Sequence, residues 1–209
     1  MSTVVLVNIS EPDRRSYRMD VRADRTAATR AKIIESVQEL FWERWVDEIS
    51  LRDVAARAGV ALQTVVRHFG TRDGLMDASL QQWRNWAEQE RFDAPVGDVK
   101  GAVANIVGVM EVAGPRVLRA LSQEDRVQWI RKGTDHGRAT HRRWVETVFG
   151  PLLPKSSAVR SRRLAQLVVI TDVYTWKLLR LDQGLSRAAT ELAMVEMIER
   201  LLVTKGEKR

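Results

Sequence analysis

The sequence predicts an all-α fold, and three observations lead to this prediction. Glycine and proline, which interrupt regular structure, number only 12 and 5 in 209 residues. Strong helix formers such as alanine, leucine, arginine and glutamate recur along most of the chain. Apolar residues also repeat at intervals of three and four, which is the period of a helix with one buried face. A chain of this length can bury an extensive hydrophobic core.

The N-terminal third is predicted to contain a basic arm and three helices. Residues 1–23 carry several arginines and no helical pattern, so we expect them to form a flexible basic arm. A first helix is predicted from about Asp24, where apolar residues begin to repeat at helical spacing. Two short helices near residues 51–58 and 62–68 complete a domain that spans residues 24–70.

The remaining residues, 71–209, are predicted to form a second helical domain. A longer helix is expected directly after Thr71, whose hydroxyl can accept a hydrogen bond from the helix N-terminus. Residues 93–98 interrupt the helical pattern with proline and glycine and are expected to form a linker. Further helices are expected over 99–113, from Pro115, over 125–149, and over about 157–182 and 186–203.

Composition narrows the class of protein. A hydrophobic content of 44% with 29% charged residues is typical of a soluble globular chain. Cysteine is absent, which excludes disulfides, thiolate metal sites and cysteine nucleophiles. We find no stretch that approaches the roughly 18 apolar residues of a membrane span, and we expect a cytoplasmic protein. The formal net charge of +7 favours an anionic partner only if a motif places the positive charge.

The sequence contains no motif that is typical of catalysis or of metal binding. The chain has three histidines, His68, His136 and His141. Positions 136 and 141 lie about 140° apart around a helix, so they cannot share a metal ion on one face. No phosphate-binding loop, nucleophile elbow or paired-histidine motif is present. We therefore predict that the chain is not an enzyme and has no cofactor or metal site.

Residues 50–60 have the pattern of two short helices held at a sharp angle. Ser50 and Asp53 have the spacing of a capping box at the start of a helix. Gly59 permits the left-handed backbone that ends this helix, and Val60 is expected to anchor the turn in the core. The combination is typical of a helix-turn-helix, whose second helix can lie in the major groove of DNA.

The flanking residues make this motif more specific. The matching residues are Ile33-Ile34, Leu40-Phe41, the stretch 49–55, Ala58-Gly59-Val60, Thr64, His68-Phe69 and the stretch 72–75. Through them, residues from about 25 to 80 resemble the tetracycline-repressor-type (TetR) family of transcriptional regulators. The chain departs from the family pattern at Trp45, where glycine is usual, at Ala61, where a capping serine is usual, and at Val66, where a tyrosine commonly touches phosphate.

The resemblance implies a helix-turn-helix DNA-binding domain in which the second short helix reads DNA. Helical spacing places Val65 and Phe69 toward the core and their neighbours outward. Gln63 can pair with adenine, Arg67 with guanine or phosphate, and Val66 with a thymine methyl group. For the arginines of the arm, a solvated tail and insertion into the minor groove both stay open. The predicted DNA contacts are Arg52, Leu62, Gln63, Thr64, Val66, Arg67, His68 and Arg72.

The resemblance also implies that residues 71–209 form a ligand-binding and dimerisation domain. Glu111 and Asp172 interrupt apolar runs, and a buried carboxylate needs a partner. A cationic or hydroxylated ligand can supply that partner, but we favour a local arginine. Aromatic candidates for a pocket wall, which are equally typical of a core or an interface, are Trp129, Trp144, Tyr174 and Trp176.

Taken together, these features predict a sequence-specific transcriptional regulator. By the resemblance, its last two helices pair with those of a second copy in a four-helix bundle, and the homodimer binds a palindromic double-stranded DNA operator. A small-molecule ligand is expected to release the repressor by moving the helix after Thr71. The alternatives are a helical interaction module that binds an acidic partner through its basic face, and an all-α enzyme. The apolar stripes of the last two helices comprise Leu164, Leu167, Val168, Thr171, Leu192, Val195, Met197 and Ile198.

Overall fold

The computed structural model describes residues 14–203, and the regular structure in that range is helical throughout, which confirms the all-α prediction. The helices are α1 (Arg14–Glu43), α2 (Leu51–Ala58), α3 (Leu62–Phe69), α4 (Arg72–Phe92), α5 (Val99–Leu121), α6 (Gln128–Phe149), α7 (Ser157–Ile170), α8 (Val173–Trp176) and α9 (Arg187–Leu202). Short 3-10 turns lie at Val46–Glu48 and Gly150–Leu152, and a π-helical segment, Lys177–Asp182, follows α8 directly.

Two compact units divide the chain, and the boundary between them lies inside α4, between Ser79 and Leu80. The boundary was predicted at residue 70, ahead of this helix. The first turns of α4 belong to the first unit, where they contribute the buried side chains of Leu75 and Met76. The positions of the loops do not reveal this boundary, because α4 continues across it without interruption.

The first helix is longer than predicted. It begins at Arg14, so residues 14–23, predicted as part of a flexible arm that ends before Asp24, are helical. This segment contains neither glycine nor proline, and its arginine, methionine and alanine residues are good helix formers. The segment has no apolar residues at helical spacing, but this does not argue against a helix, because only a helix that buries one face requires such a pattern. Residues 1–13 of the predicted arm lie outside the described residues.

The core of the first unit is built on one face of α1. Ile33, Val37 and Leu40 are spaced at helical intervals and are buried, and α2 packs against this helix. From α3, which packs on α2, Val65 is fully buried. The two short helices therefore have a fixed position on a long one, and the other side of α3 remains at the surface.

The core of the second unit is built around α5. Ala102, Val103, Ile106 and Val107 are all fully buried, and α5 packs against α6, α8 and α9. Contrary to the expectation from sequence, α5 is long and apolar enough to cross a membrane by length and composition, with a mean hydropathy of 1.2 over 18 residues. The central helix of a soluble protein meets the same criterion, and 44% of this window is buried inside the protein.

Pro115 was predicted to begin a helix, but it lies inside α5. A proline in a helix removes one backbone donor, which usually ends or kinks it. The residue before it, Gly114, lies directly against the ring of Trp176. A Cβ atom at Gly114 would come within 2.6 Å of that ring, so only glycine permits this contact.

The single helix predicted over about 157–182 is also wrong, because the helix breaks after Ile170. Thr171 ends α7, and Asp172 begins α8 as an N-cap whose carboxylate accepts a hydrogen bond from the Tyr174 backbone N–H at 2.9 Å. Aspartate is among the residues that cap helices best. The carboxylate in this apolar run therefore has a local structural partner that the apolar pattern concealed.

Candidate functional site

The bend between α2 and α3 has the predicted local chemistry. The Ser50 hydroxyl accepts a hydrogen bond from the Asp53 backbone N–H at 3.2 Å, and the Asp53 carboxylate accepts one from the Ser50 N–H at 2.9 Å. The Ser50 hydroxyl also donates a hydrogen bond to the Asp53 carboxylate at 2.5 Å, and this bond, followed by the one from the Ser50 N–H, holds the pKa of Asp53 below its usual value. Gly59 ends α2 with a φ of 62°, the left-handed conformation that favours glycine.

The two faces of α3 differ as the spacing predicts. Val65 is fully buried, and Phe69 is half-buried beneath the Arg30 guanidinium, which lies 5.0 Å from its ring centroid. The opposite face exposes Leu62, with 37% of its surface accessible, next to the polar side chains. Gln63 and Arg67 are exposed there, whereas Thr64, Val66 and His68 are partly covered. Ala61 precedes the helix without a side-chain cap, as its departure from the family pattern implies.

The arginines around the bend are of two kinds, those that form ion pairs within the protein and those that do not. Arg57 forms ion pairs with Glu43 at 2.6 Å and Glu39 at 3.2 Å, and the hydrogen bond to Glu43 raises the pKa of its guanidinium. Within the described part of the chain, no such pair or hydrogen bond involves Arg52 or Arg67, both of which are exposed. Their positive charges are therefore available to an external anion.

Arg72 has a role that the sequence did not suggest. Its Nε donates a hydrogen bond to the Ile49 carbonyl oxygen at 2.7 Å, and its Nη2 donates one to the Val46 carbonyl. Charge-assisted bonds of this kind tie the start of α4 to the segment ahead of α2. The predicted phosphate contact of Arg72 stays a prediction. The predicted cap at Thr71 is confirmed, since its hydroxyl accepts a hydrogen bond from the Gly74 N–H at 3.1 Å.

In the second unit, Glu111 has the arginine partner that we favoured. One carboxylate oxygen accepts hydrogen bonds at 3.0 Å from both the Arg180 Nε and the Trp176 Nε1. The other oxygen lies 3.3 Å from Arg180 Nη2. Both oxygens are thus satisfied within the protein, and Glu111 has a structural partner without any ligand.

The aromatic candidates for a ligand pocket lie in different environments. Trp144 and Trp176 belong to the hydrophobic core of the second unit, and Trp129 is half-buried. Tyr174 is exposed, with 52% of its surface accessible. The four residues therefore do not share one level of burial, and their contacts with a ligand stay predictions, as does that of Asp172.

Sequence reasoning missed the buried His141. Its Nε2 lies 3.2 Å from both the Val168 carbonyl and the Thr171 hydroxyl, which itself donates to the Leu167 carbonyl. Because both neighbours of Nε2 must accept, this nitrogen carries the ring proton. Burial, and then the positive charge of Arg91, lower the pKa of His141 to about 4, so the ring is neutral at pH 7.

One signal in the sequence points to this burial. His141 and Trp144 are three residues apart and therefore share a helix face. Their rings stack with centroids 5.6 Å apart, and Trp144 is fully buried. Within residues 14–203, no group of three histidine or acidic side chains is arranged to hold a metal ion.

Comparison with known proteins agrees with this geometry. Residues 33–79 match the family model described as "Bacterial regulatory proteins, tetR family". An HTH-type transcriptional repressor of Mycobacterium tuberculosis and an HTH-type transcriptional regulator of Mycobacterium bovis are each 46% identical to this chain over 50 residues. The match covers 24% of this chain and only about a quarter, 27%, of the length of each relative.

Solved structures of other proteins resemble this chain in fold over most of its length. A TetR-family transcriptional regulator from Streptomyces coelicolor has a TM-score of 0.62 at 18% identity, covering 87% of this chain and 91% of that one. A TetR transcription regulator from Haloarcula marismortui has a TM-score of 0.57 at 13% identity, covering 83% and 98%. At these identities the likeness concerns the fold alone.

Proposed function

We propose that this chain, which belongs to the tetR family of bacterial regulatory proteins through its N-terminal domain, is a sequence-specific DNA-binding regulator of transcription. The single observation that carries the proposal is the outward face of α3. A leucine, a glutamine and an arginine, Leu62, Gln63 and Arg67, are exposed together on a helix whose other face is fixed in the core. Such a helix, presented by a preceding helix and a tight turn, suits the DNA major groove.

In this proposal the exposed side chains have separate roles. Gln63 and Arg67 read base edges, for which an amide and a guanidinium have matching donor and acceptor patterns. Val66 and Leu62 contact apolar surface, such as a thymine methyl group. Positioning contacts to phosphate come from the residues around them. These are Arg52, Thr64, His68 and Arg72.

Replacing Gln63 or Arg67 with alanine is expected to weaken binding to the operator by about 1–3 kcal/mol per side chain. Binding to non-specific DNA should change less, because a lost base contact matters only at the matching base. Fluorescence anisotropy with operator and scrambled duplexes, at one salt concentration, measures both. Arg142→Ala, at an exposed arginine of α6 away from both proposed surfaces, is the matched control. Unchanged preference for the operator in both variants would show that α3 does not read bases.

We further propose that the protein acts as a homodimer through its last helices. Of the predicted interface residues, Leu164, Leu167, Thr171, Val195 and Ile198 are buried within the subunit. Other apolar side chains remain at the surface of the same region, including Val169 of α7 and Leu192 of α9, with 64% and 60% of their surfaces accessible. Burying them against a second copy would remove apolar surface from water, which favours association.

Introducing one acidic residue into this surface is expected to prevent dimerisation. In a symmetric dimer Val169→Asp or Leu192→Asp places a charge on both copies at once, where it must be buried without a partner. Sedimentation equilibrium should give a dimer for the unaltered chain and a monomer for both variants. Val96→Asp, in the loop between α4 and α5, should leave the dimer intact. Dimers of unchanged affinity in both interface variants would exclude this surface.

Regulation by a small molecule completes the proposal. We infer a cytoplasmic repressor that leaves its palindromic operator when a ligand binds the second unit. Since α4 begins in the first unit and ends in the second, it is the direct covalent route between them. The ligand must bind the state that does not hold DNA more tightly, because equal affinity for both states changes nothing.

A further inference from the structure

The N-terminal half of α1 is a surface helix that the rest of its unit does not cover. Where the burial of its side chains is described, Ile33 is the first residue of this helix that is buried. From residue 21 to residue 32 every side chain is exposed or partly exposed. Most helices in proteins are stabilised by packing of one face, and this half of α1 has no such packing.

The charged residues in this half of α1 are sorted by helix face. At about 100° per residue, positions 14, 15, 18, 22 and 25 lie within an arc of about 100°, and all five are arginine. We call this side the arginine face. The acidic residues Asp20 and Asp24 lie on the opposite side, and neither has an arginine three or four residues away. Ion pairs along the helix therefore do not neutralise the arginine face.

The arginine face is continuous with the side of α1 that packs in the first unit. By the same helical spacing, Ile33, Ser36 and Leu40 fall within the arc of the five arginines, further along the helix. All three are buried, and α2 packs against α1. The arginine face therefore lies on the side of α1 that carries the helix-turn-helix, beyond the point where the packing ends.

Two basic residues where the packing begins lie beside both ends of α3. The Arg30 guanidinium lies 5.0 Å from the ring centroid of Phe69, the last residue of α3. The Lys32 Nζ lies 3.7 Å from the place that a Cβ atom would occupy at Gly59, in the turn ahead of α3. Arg25 comes five residues before Arg30, which is about 7.5 Å along the helix. The arginine face thus begins close to α3.

The chemistry of this helix suits a row of phosphates. Arg22 and Arg25 are exposed, and neither forms an ion pair with another described residue. Guanidinium groups match phosphate oxygens in charge and in geometry. A membrane surface or an apolar protein groove would need an apolar face on the helix. The side opposite the arginine face instead carries small or acidic residues, which are Ser16, Asp20, Ala23, Asp24, Ala27 and Ala31.

We propose that the arginine face of α1 binds the phosphate backbone of the DNA that flanks the half-site read by α3. The proposal rests on the proposed function, since it extends the DNA-binding surface of the same unit along the duplex. Residues 14–30 span about 24 Å, the length of about seven base pairs. Phosphate contacts carry no direct sequence information, so α1 adds affinity while α3 supplies specificity.

The test removes two charges from the arginine face without breaking the helix. Arg22→Gln and Arg25→Gln are combined in the full chain, because glutamine is a good helix former. The control combines Lys132→Gln and Arg142→Gln, at exposed positions of α6, and changes the net charge equally. Fluorescence anisotropy at increasing salt measures binding to a duplex selected by the unaltered chain, with about ten flanking base pairs on each side.

We expect the slope of log affinity against log salt to become shallower by about 0.9 for each lost phosphate contact, about 2 per subunit. The loss of affinity should shrink as salt rises, and the control should keep the original slope. Arg22→Lys with Arg25→Lys keeps both charges and should restore most of the affinity. Trimming the flanks should weaken binding of the unaltered chain but not of the glutamine variant.

An unchanged slope in the glutamine variant would overturn the proposal. It would also be overturned by an equal change in the control, which would mean that net charge alone matters. Preference for the selected duplex over a scrambled one separates this proposal from the proposed function. If the unaltered chain keeps that preference while the slope stays unchanged, only the arginine face is contradicted. If it prefers no sequence, the proposed function itself fails.

Discussion

Replacing Trp176 with alanine is expected to lower the free energy of unfolding of the second unit by about 3–5 kcal/mol, the range for removing a large buried aromatic side chain. Only 2% of the Trp176 surface is accessible, and its ring lies directly against Gly114 of α5. The substitution also removes the hydrogen bond from its Nε1 to Glu111. The loss of packing and the loss of this hydrogen bond both lower the free energy of unfolding.

Urea unfolding of the full chain, followed by circular dichroism, measures this effect. Tyr174→Ala is the control, because it lies in the same short helix and has 52% of its surface exposed. It should change stability by less than about 0.5 kcal/mol, as is usual for surface substitutions. Similar small losses in both variants would mean that Trp176 does not pack in the core, and would reopen it as a ligand contact.

Acidification is expected to destabilise the second unit through His141. The folded pKa is about 4, whereas an unfolded histidine titrates near its ordinary value of 6.5. Between these values the unfolded chain binds a proton that the folded chain does not, so stability falls as the pH falls through this window. The full difference corresponds to about 3 kcal/mol, which is present above the unfolded pKa and lost on approaching the folded one.

This pH effect is measured by urea unfolding at about pH 7.5 and about pH 4.5 in His141→Gln, which keeps an N–H donor but cannot titrate. The variant should lose less stability than the unaltered chain between the two values. Lys132→Gln, at an exposed lysine of the same helix, should lose as much as the unaltered chain. Equal acid losses in His141→Gln and the unaltered chain would exclude a buried neutral His141.

The helix-turn-helix was predictable because its signals are local. A capping box at Ser50 and Asp53, a glycine that must adopt positive φ, and apolar spacing in α2 and α3 each act within a few residues. They gave both short helices within a residue of their ends and the burial of Val65. The hydrogen bonds of Arg72 were not predictable in this way, because they reach back to residues 46 and 49, beyond the range of such patterns.

The second unit was harder to predict because its decisive contacts are distant in sequence. Pro115 is typical of a helix start, yet α5 continues past it, and the neighbouring Gly114 packs against Trp176, more than sixty residues further along. The buried ring of His141 contacts the hydroxyl of Thr171, thirty residues further along. Helical period identifies which faces are apolar, but it does not say which buried polar groups meet. That information comes only from the packing of α4, α6 and α7.

Selection of bound duplexes from a random-sequence library is the most direct test of sequence-specific DNA binding by this chain. The full chain is used at near-physiological salt, with excess non-specific competitor, and the enriched duplexes are sequenced. We predict enrichment of an inverted repeat whose half-sites lie about one helical turn or more apart, as a symmetric dimer requires. Salt-sensitive retention of duplexes with no common sequence would contradict this, and would show that the basic surface binds polyanions without reading them.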